Sequence, residues 1–258
     1  MTPRSNIKAA VAAAFGAAVD TYDDKADVQR EAAERLFGRL PGLALPTNPR
    51  ILEIGCGTGF LSRMLADMNT EELVVSDISD AMLARCRQTL GAVASHARFL
   101  VMDGEEPSES AGSGFDLICS SMAFQWFNNM SQSLERLASL LAPGGHLVFA
   151  TLAAESFHEW TQAHADLNMT SSVRSYPTAD ALARMLPKRG EGRVEEEHIV
   201  RHYPDGHDFL GHLKRIGAHL PESSHRPVAP GALRRVLRQF EGGISVTYHM
   251  AYGLWRRA

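Results

Sequence analysis

Apolar residues recur three or four positions apart at the start of the chain, at Ile7, Val11, Phe15, Val19 and Tyr22, with alanine and glycine between them. This spacing lines one face of an amphipathic helix. A second helix follows, and Pro41-Gly42 closes the pair. From Arg50 short apolar runs alternate with helical stripes, and strands are expected over 51–55, 73–77, 98–102, 115–120 and 146–151. Between them, Phe60, Leu61, Met64, Leu65 and Met68 form one helical stripe. Met82, Leu83, Cys86 and Leu90 form another, with Ser79 placed to cap it. Leu134, Leu137, Ala138 and Leu141 form a third, stopped by Pro143-Gly144-Gly145. Strand and helix in alternation require crossover connections, hence an α/β fold whose mostly parallel sheet is covered on both faces. After residue 152, helices are expected near 155–168, 178–186, 207–218 and 230–241, and strands over 194–203 and 245–255. Three regions are expected: a helical cover over 1–45, a ligand-binding core over 46–152, and a lid with the last sheet strands over 153–258.

Composition narrows the class. A chain of 258 residues buries about 75% of its unfolded surface, and 21 Gly with 12 Pro excludes collagen-like or disordered sequence. Cys56, Cys86 and Cys119 lie in separate apolar segments and suggest neither a disulfide scaffold nor a zinc ribbon, so a cytoplasmic setting is expected. No run approaches the roughly 20 apolar residues of a membrane span. Arg4 and Lys8 ahead of the alanines imitate a signal peptide, but the helical stripe there argues against one. The net charge of −4 is uneven: residues 206–258 carry +5 and the first 205 carry −9. That balance does not suit nucleic acid, although the basic end can meet an acidic partner.

The densest chemistry lies in Glu53-Ile54-Gly55-Cys56-Gly57-Thr58-Gly59, between an apolar strand and an amphipathic helix, where open α/β sheets bind ligands. A dinucleotide fingerprint needs glycine at position 60, which is Phe, and a phosphate loop needs a lysine that is missing. Asp77 ends the second strand 18 residues after Gly59, placed to accept from ribose hydroxyls. Asp103 ends the third strand, ahead of Gly104-Glu105, placed to accept from an amino group. His202, His207, His212, His219 and His225 do not stack on one helical face and are read as surface residues, with no metal site.

The set Glu53-x-Gly55-x-Gly57-x-Gly59, Asp77 and Met102-Asp103-Gly104, with Phe115-Asp116-Leu117-Ile118 and Leu141-Ala142-Pro143-Gly144-Gly145, resembles the class I S-adenosylmethionine-dependent methyltransferases. The resemblance implies a Rossmann-like, seven-stranded sheet. It implies that Gly55, Gly57 and Gly59 approach the methionine half of the cofactor, Asp77 the ribose, and Asp103 with Gly104 the adenine. Glu53, Ile78, Met82, Glu105 and Ser120 complete the implied cofactor set. A narrower resemblance, to the malonyl-acyl-carrier-protein methyltransferases of biotin synthesis, runs from about residue 7 to 257. It rests on Ala14-Phe15-Gly16, Tyr22-Asp23-x-x-Ala26-x-x-Gln29-Arg30, Phe124-Gln125-Trp126, Leu213-Lys214-Arg215-Ile216-Gly217-Ala218 and Val246-Thr247-Tyr248-His249. Residues 104–114, 168–173 and 187–193 carry little of that pattern.

This resemblance implies methyl transfer from S-adenosylmethionine to the free carboxylate of a malonyl thioester on an acidic acyl carrier protein, or on coenzyme A. Tyr22 would cover the cofactor, Trp126 would wall the transfer pocket, and Arg174 would hold the malonyl carboxylate. Lys214 and Arg215 are the docking candidates, with Arg226, Arg234, Arg235 and Arg238 behind them. The chain is expected to be a monomer or weak dimer. The competing readings are a methyltransferase for another small acid or a quinone-like carbon, a non-catalytic assembly relative acting through partner binding, and a nicotinamide enzyme.

Overall fold

A computed structural model describes residues 3–218 and 230–258. Two helices open the chain, α1 (Pro3–Lys25) and α2 (Asp27–Phe37). The sheet is then built from β1 (Arg50–Ile54), β2 (Glu72–Asp77), β3 (Ala97–Val101), β4 (Phe115–Ser121) and β5 (Leu141–Leu152), with crossovers α3 (Phe60–Ala66), α4 (Asp80–Leu90) and α5 (Met130–Ser139). Next come α6 (His158–Ala165), α7 (Ala179–Met185), β6 (Gly190–Tyr203), α8 (Gly206–Arg215), α9 (Pro230–Arg238) and β7 (Ile244–Arg257). Among the described residues the seven strands form one sheet in the order β3-β2-β1-β4-β5-β7-β6. β1 to β5 are mutually parallel, and β7 runs antiparallel to both its neighbours.

Burial follows the pleat. Ile51 packs into one layer with Leu36, Leu65 and Leu117, while Leu52 and Ile54 face the other with Phe115, Phe149, Leu134 and Leu137. Strands buried on both faces explain the unbroken apolar runs of the sequence. The expected cap is present, with Ser79 Oγ accepting from the Met82 N–H at 3.4 Å. Two strand starts differ. β6 begins at Gly190, not at 194, because Gly190 already pairs with Arg257 of β7. β5 begins at Leu141, not at 146, because Leu141 pairs with Phe115 before a shift of register. Pro143-Gly144-Gly145 therefore lies inside the strand as an irregularity instead of stopping a helix.

The strand order reverses direction between β1 and β4, and the carboxyl ends of β1, β2 and β3 open on one edge there. α1 lies over this edge. Val11 and Tyr22 of its stripe are buried, and Ile7, Phe15 and Val19 are half-buried.

Candidate active site

At the crevice, Gly55, Gly57 and Gly59 all have positive φ, at 72°, 55° and 104°. A Cβ on Gly55 would overlap that of Ala123, so the turn passes directly against the segment after β4. The Gly57 N–H donates to Asp77 Oδ2 at 2.9 Å and the Ser79 N–H to Oδ1 at 2.8 Å. Asp77 thus ties the first and second strand ends together, and each of its oxygens keeps further acceptor capacity toward the cavity. Burial raises its carboxyl above the usual range against the pull of these N–H groups.

The cavity encloses about 950 Å³, part of it open to solvent. Glu53, Gly55, Gly57, Asp77, Ile78, Met82, Asp103 and Gly104 line it, with Tyr22 and Trp126. Glu53 is 1% exposed, and burial with Asp77 nearby pushes its carboxyl up to about 8. Tyr22 stacks on Phe60 at 6.1 Å, and burial beside Asp77 raises its phenol. A Cβ on Gly104 would overlap Ile54 Cγ2, so only glycine brings the third strand end this close. Gly59, expected to approach the cofactor with the other two glycines, is outside the lining and packs behind the loop, against Cys86.

Three further expected residues have other surroundings. The Ser120 hydroxyl donates to the Ile54 carbonyl at 2.8 Å inside the sheet, and its neighbour Ser121 lines the cavity instead. Glu105 lies outside the lining and accepts from the backbone N–H groups of Asn128 and Asn129, fixing the loop before α5. Asp103 lines the cavity but is engaged by Lys8 of α1, which also lies 2.9 Å from Glu105. The sequence reading missed this clasp because Lys8 is 95 residues away.

A second cavity of about 810 Å³ adjoins the first. Its wall is mostly apolar, from Leu152, Phe157, Leu210, Leu213 and Tyr248, with Arg174 and Tyr176. The Arg174 guanidinium stands 5.5 Å from the Trp126 ring centroid and has no ion-pair partner among the described residues. Trp126 lines both cavities and meets Phe15 edge-on at 5.5 Å. Tyr248 is buried, with its hydroxyl 3.0 Å from that of Tyr203. Lys214 and Arg215 are exposed at the end of α8, and Arg234, Arg235 and Arg238 are exposed on α9. Arg226 lies outside the described residues.

His202 meets Ser245 at 2.8 Å, and His207 is exposed. His212, expected at the surface, is buried beneath Tyr203 on the inner face of α8, which holds its imidazole below the usual value. His219 and His225 lie outside the described residues. His198 and His249, paired across β6 and β7, do gather with Glu155 from the turn after β5. There, His249 Nδ1 accepts from the Glu155 N–H, and His198 Nε2 lies 2.9 Å from the Glu155 carboxylate; His249 Nε2 lies 2.9 Å from Glu196 Oε1 without making a hydrogen bond among the described residues.

The cavities fit a cationic nucleoside. Glu53 Oε2, Thr58 Oγ1 and Ser121 Oγ, of residues lining the first cavity, are buried without a hydrogen-bond partner among the described residues, which suits an ammonium and hydroxyl groups.

A methyltransferase-domain family model matches residues 26–191. The chain is 48% identical over 250 residues to the biotin biosynthesis bifunctional protein BioCD of Bordetella avium, covering 96% of this chain but only 52% of that protein. It spans about half the length of that relative. It is 43% identical to the malonyl-[acyl-carrier protein] O-methyltransferase of Magnetococcus marinus, covering 95% of this chain and 91% of the relative. A crystal structure of a putative methyltransferase from Bacillus halodurans superposes with a TM-score of 0.61 at 16% identity, over 86% of this chain and 98% of that one, which shows the fold. With sheet order, cavity chemistry and similarity over 95% of its residues in agreement, the chain belongs to the methyltransferase family, in the group of the malonyl-[acyl-carrier protein] O-methyltransferases.

Proposed function

We infer that this protein esterifies the free carboxylate of a malonyl thioester held on an acyl carrier protein, using S-adenosylmethionine, and so makes the methyl ester for biotin synthesis. The observation that carries this reading is the meeting of two cavities at Trp126, one acidic and edged by strand ends, the other apolar with the Arg174 cation in its wall. When bound, the cofactor supplies an electrophilic methyl group on a charged sulfur.

The chain's own residues have little proton chemistry to perform. A malonyl carboxyl with a pKa near that of Glu, about 4.3, is ionised at neutral pH, so no general base is needed. Arg174 holds the carboxylate and leaves a lone pair for attack. Trp126 and Tyr22 exclude water, and α1 closes over both. Positioning of this kind contributes about 7–11 kcal/mol. Glu53, Asp77 and Asp103 hold the ammonium, ribose and adenine ends, with Gly55, Gly57, Gly104, Ile78 and Met82 shaping the bed.

In this reading, residues 1–45 form the cover, 46–152 the cofactor core, and 153–258 the lid and final strands, in a cytoplasmic enzyme. The carrier docks at Lys214 and Arg215. Their helix also supplies Leu210 and Leu213 to the acceptor cavity, so a partner on this face stands at its entrance. Among the described residues no helix is long and apolar enough to cross a membrane.

The test is incubation with labelled S-adenosylmethionine and malonyl-carrier protein, malonyl-coenzyme A or free malonate in parallel. Esterase-labile label on the carrier thioester supports the reading. Label on free malonate alone points to a small-acid enzyme, and no label on any acceptor overturns the reading.

A further inference from the structure

Gln29 stands in the first turn of α2, one helical turn before Ala33, and both line the first cavity. Val28, Ala32 and Leu36 of the same helix are fully buried, which fixes the rotation of α2 about its axis and so the direction of Gln29. Gln29 also lines the second cavity, a property it shares with Met122 and Trp126. These three side chains therefore form the partition where cofactor and acceptor meet. Met122 contributes an apolar side chain held at φ 58°, and Trp126 a buried indole N–H. Gln29 contributes an acceptor: its Oε1 is buried and has no hydrogen-bond partner among the described residues.

A buried amide oxygen without a partner is costly, and what satisfies it at this partition must carry positive charge or polarised hydrogen. The malonyl carboxylate offers neither. A sulfonium does, because the charged sulfur withdraws electrons from its methyl group, making the C–H bonds donors to oxygen. The acceptor also needs to be neutral. A carboxylate in this place would be a nucleophile of the substrate's own type and would compete for the methyl, whereas an amide oxygen is a far weaker one. We propose that Gln29 Oε1 faces the sulfonium of the cofactor, aims its methyl into the second cavity, and distinguishes the charged cofactor from its uncharged demethylated product. This rests on the cofactor reading given above.

Calorimetry with S-adenosylmethionine and S-adenosylhomocysteine separates the possibilities, because the two ligands differ only by the methyl and its charge. The quantity to compare is the ratio of their dissociation constants in the wild type, Gln29→Glu and Gln29→Met. Gln29→Glu, of equal size, is expected to shift the ratio toward the charged ligand by about tenfold, equivalent to about 1.4 kcal/mol. Gln29→Met is expected to shift it the other way by about threefold, the scale of a weak C–H···O contact. Equal changes for both ligands in both variants would mean that Gln29 only packs, and would overturn the proposal while leaving the cofactor reading intact. Failure of the wild type to bind either ligand would overturn both. If thermal melting shows that Gln29→Met does not fold, the ratio for Gln29→Glu decides alone.

Discussion

Glu53→Gln removes a carboxyl that the folded chain keeps protonated where an exposed one would be charged. In the fold it titrates at about 8, against a usual 4.5, because it is buried near Asp77. Between those values the folded state holds a proton that the unfolded state has released. Stability therefore falls as pH rises through this window. At about 1.36 kcal/mol per pH unit, the penalty is near zero below pH 4.5, about 3 kcal/mol at pH 7, and about 5 kcal/mol above pH 8. Glutamine fills the same space without the charge. Urea unfolding at about pH 5, 7 and 8.5 should show the variant gaining stability over the wild type by an amount that grows with pH on this scale. The same substitution removes an anionic partner for the cofactor's ammonium, so calorimetry should show cofactor binding weaker by about tenfold or more. For the wild type, binding should release a proton below pH 8, as the approaching ammonium favours the ionised carboxyl. A stability gain equal at pH 5 and 8.5 would refute desolvation of Glu53 as the source of the shift.

Arg174→Ala is expected to lower kcat/KM for malonyl thioesters by about 10- to 100-fold while cofactor affinity stays within about twofold. An equal loss of cofactor binding would remove Arg174 from the acceptor cavity. Gly104→Ala forces a Cβ into Ile54, and should cost about 1–3 kcal/mol in urea unfolding as well as weakening the cofactor. A variant of wild-type stability would show that the third strand end yields easily. Lys214→Glu combined with Arg215→Glu should reduce kcat/KM for the carrier thioester by about tenfold at low salt, without changing it for the coenzyme A thioester. Equal rates with both acceptors would move docking elsewhere.

The strand ends were legible because glycine and aspartate punctuate apolar runs, and these positions do converge on one cavity. Positions set by distant contacts were not. Ser120 and Ser121 are adjacent in a strand and point to opposite faces, and the apolar run around them does not say which faces the crevice. Asp103 and Glu105 read as a bare nucleotide edge, and the clasp of Lys8 on both, far away in sequence, is not legible there. Pro143-Gly144-Gly145 has the composition of a helix stop, yet pairing of Leu141 with Phe115 draws the strand past it. His212 sits among surface histidines in sequence, but the inner face of α8 buries it. Gln29 was visible only as one letter of a motif. Its acceptor role depends on a partition between cavities that no spacing reveals.

Helix α1 is fastened near both ends. Lys8 joins it to Asp103 and Glu105 beside the nucleoside bed, and the Thr21 hydroxyl donates to the Arg215 carbonyl at 2.8 Å, on the helix bordering the acceptor chamber. Phe15, between those ties, leans on the indole that both chambers share. The helix is thus a hasp across two doors: any displacement that frees it from one chamber frees it from the other as well. In the function proposed above, this shared fastening ties the departure of one product to the departure of the other.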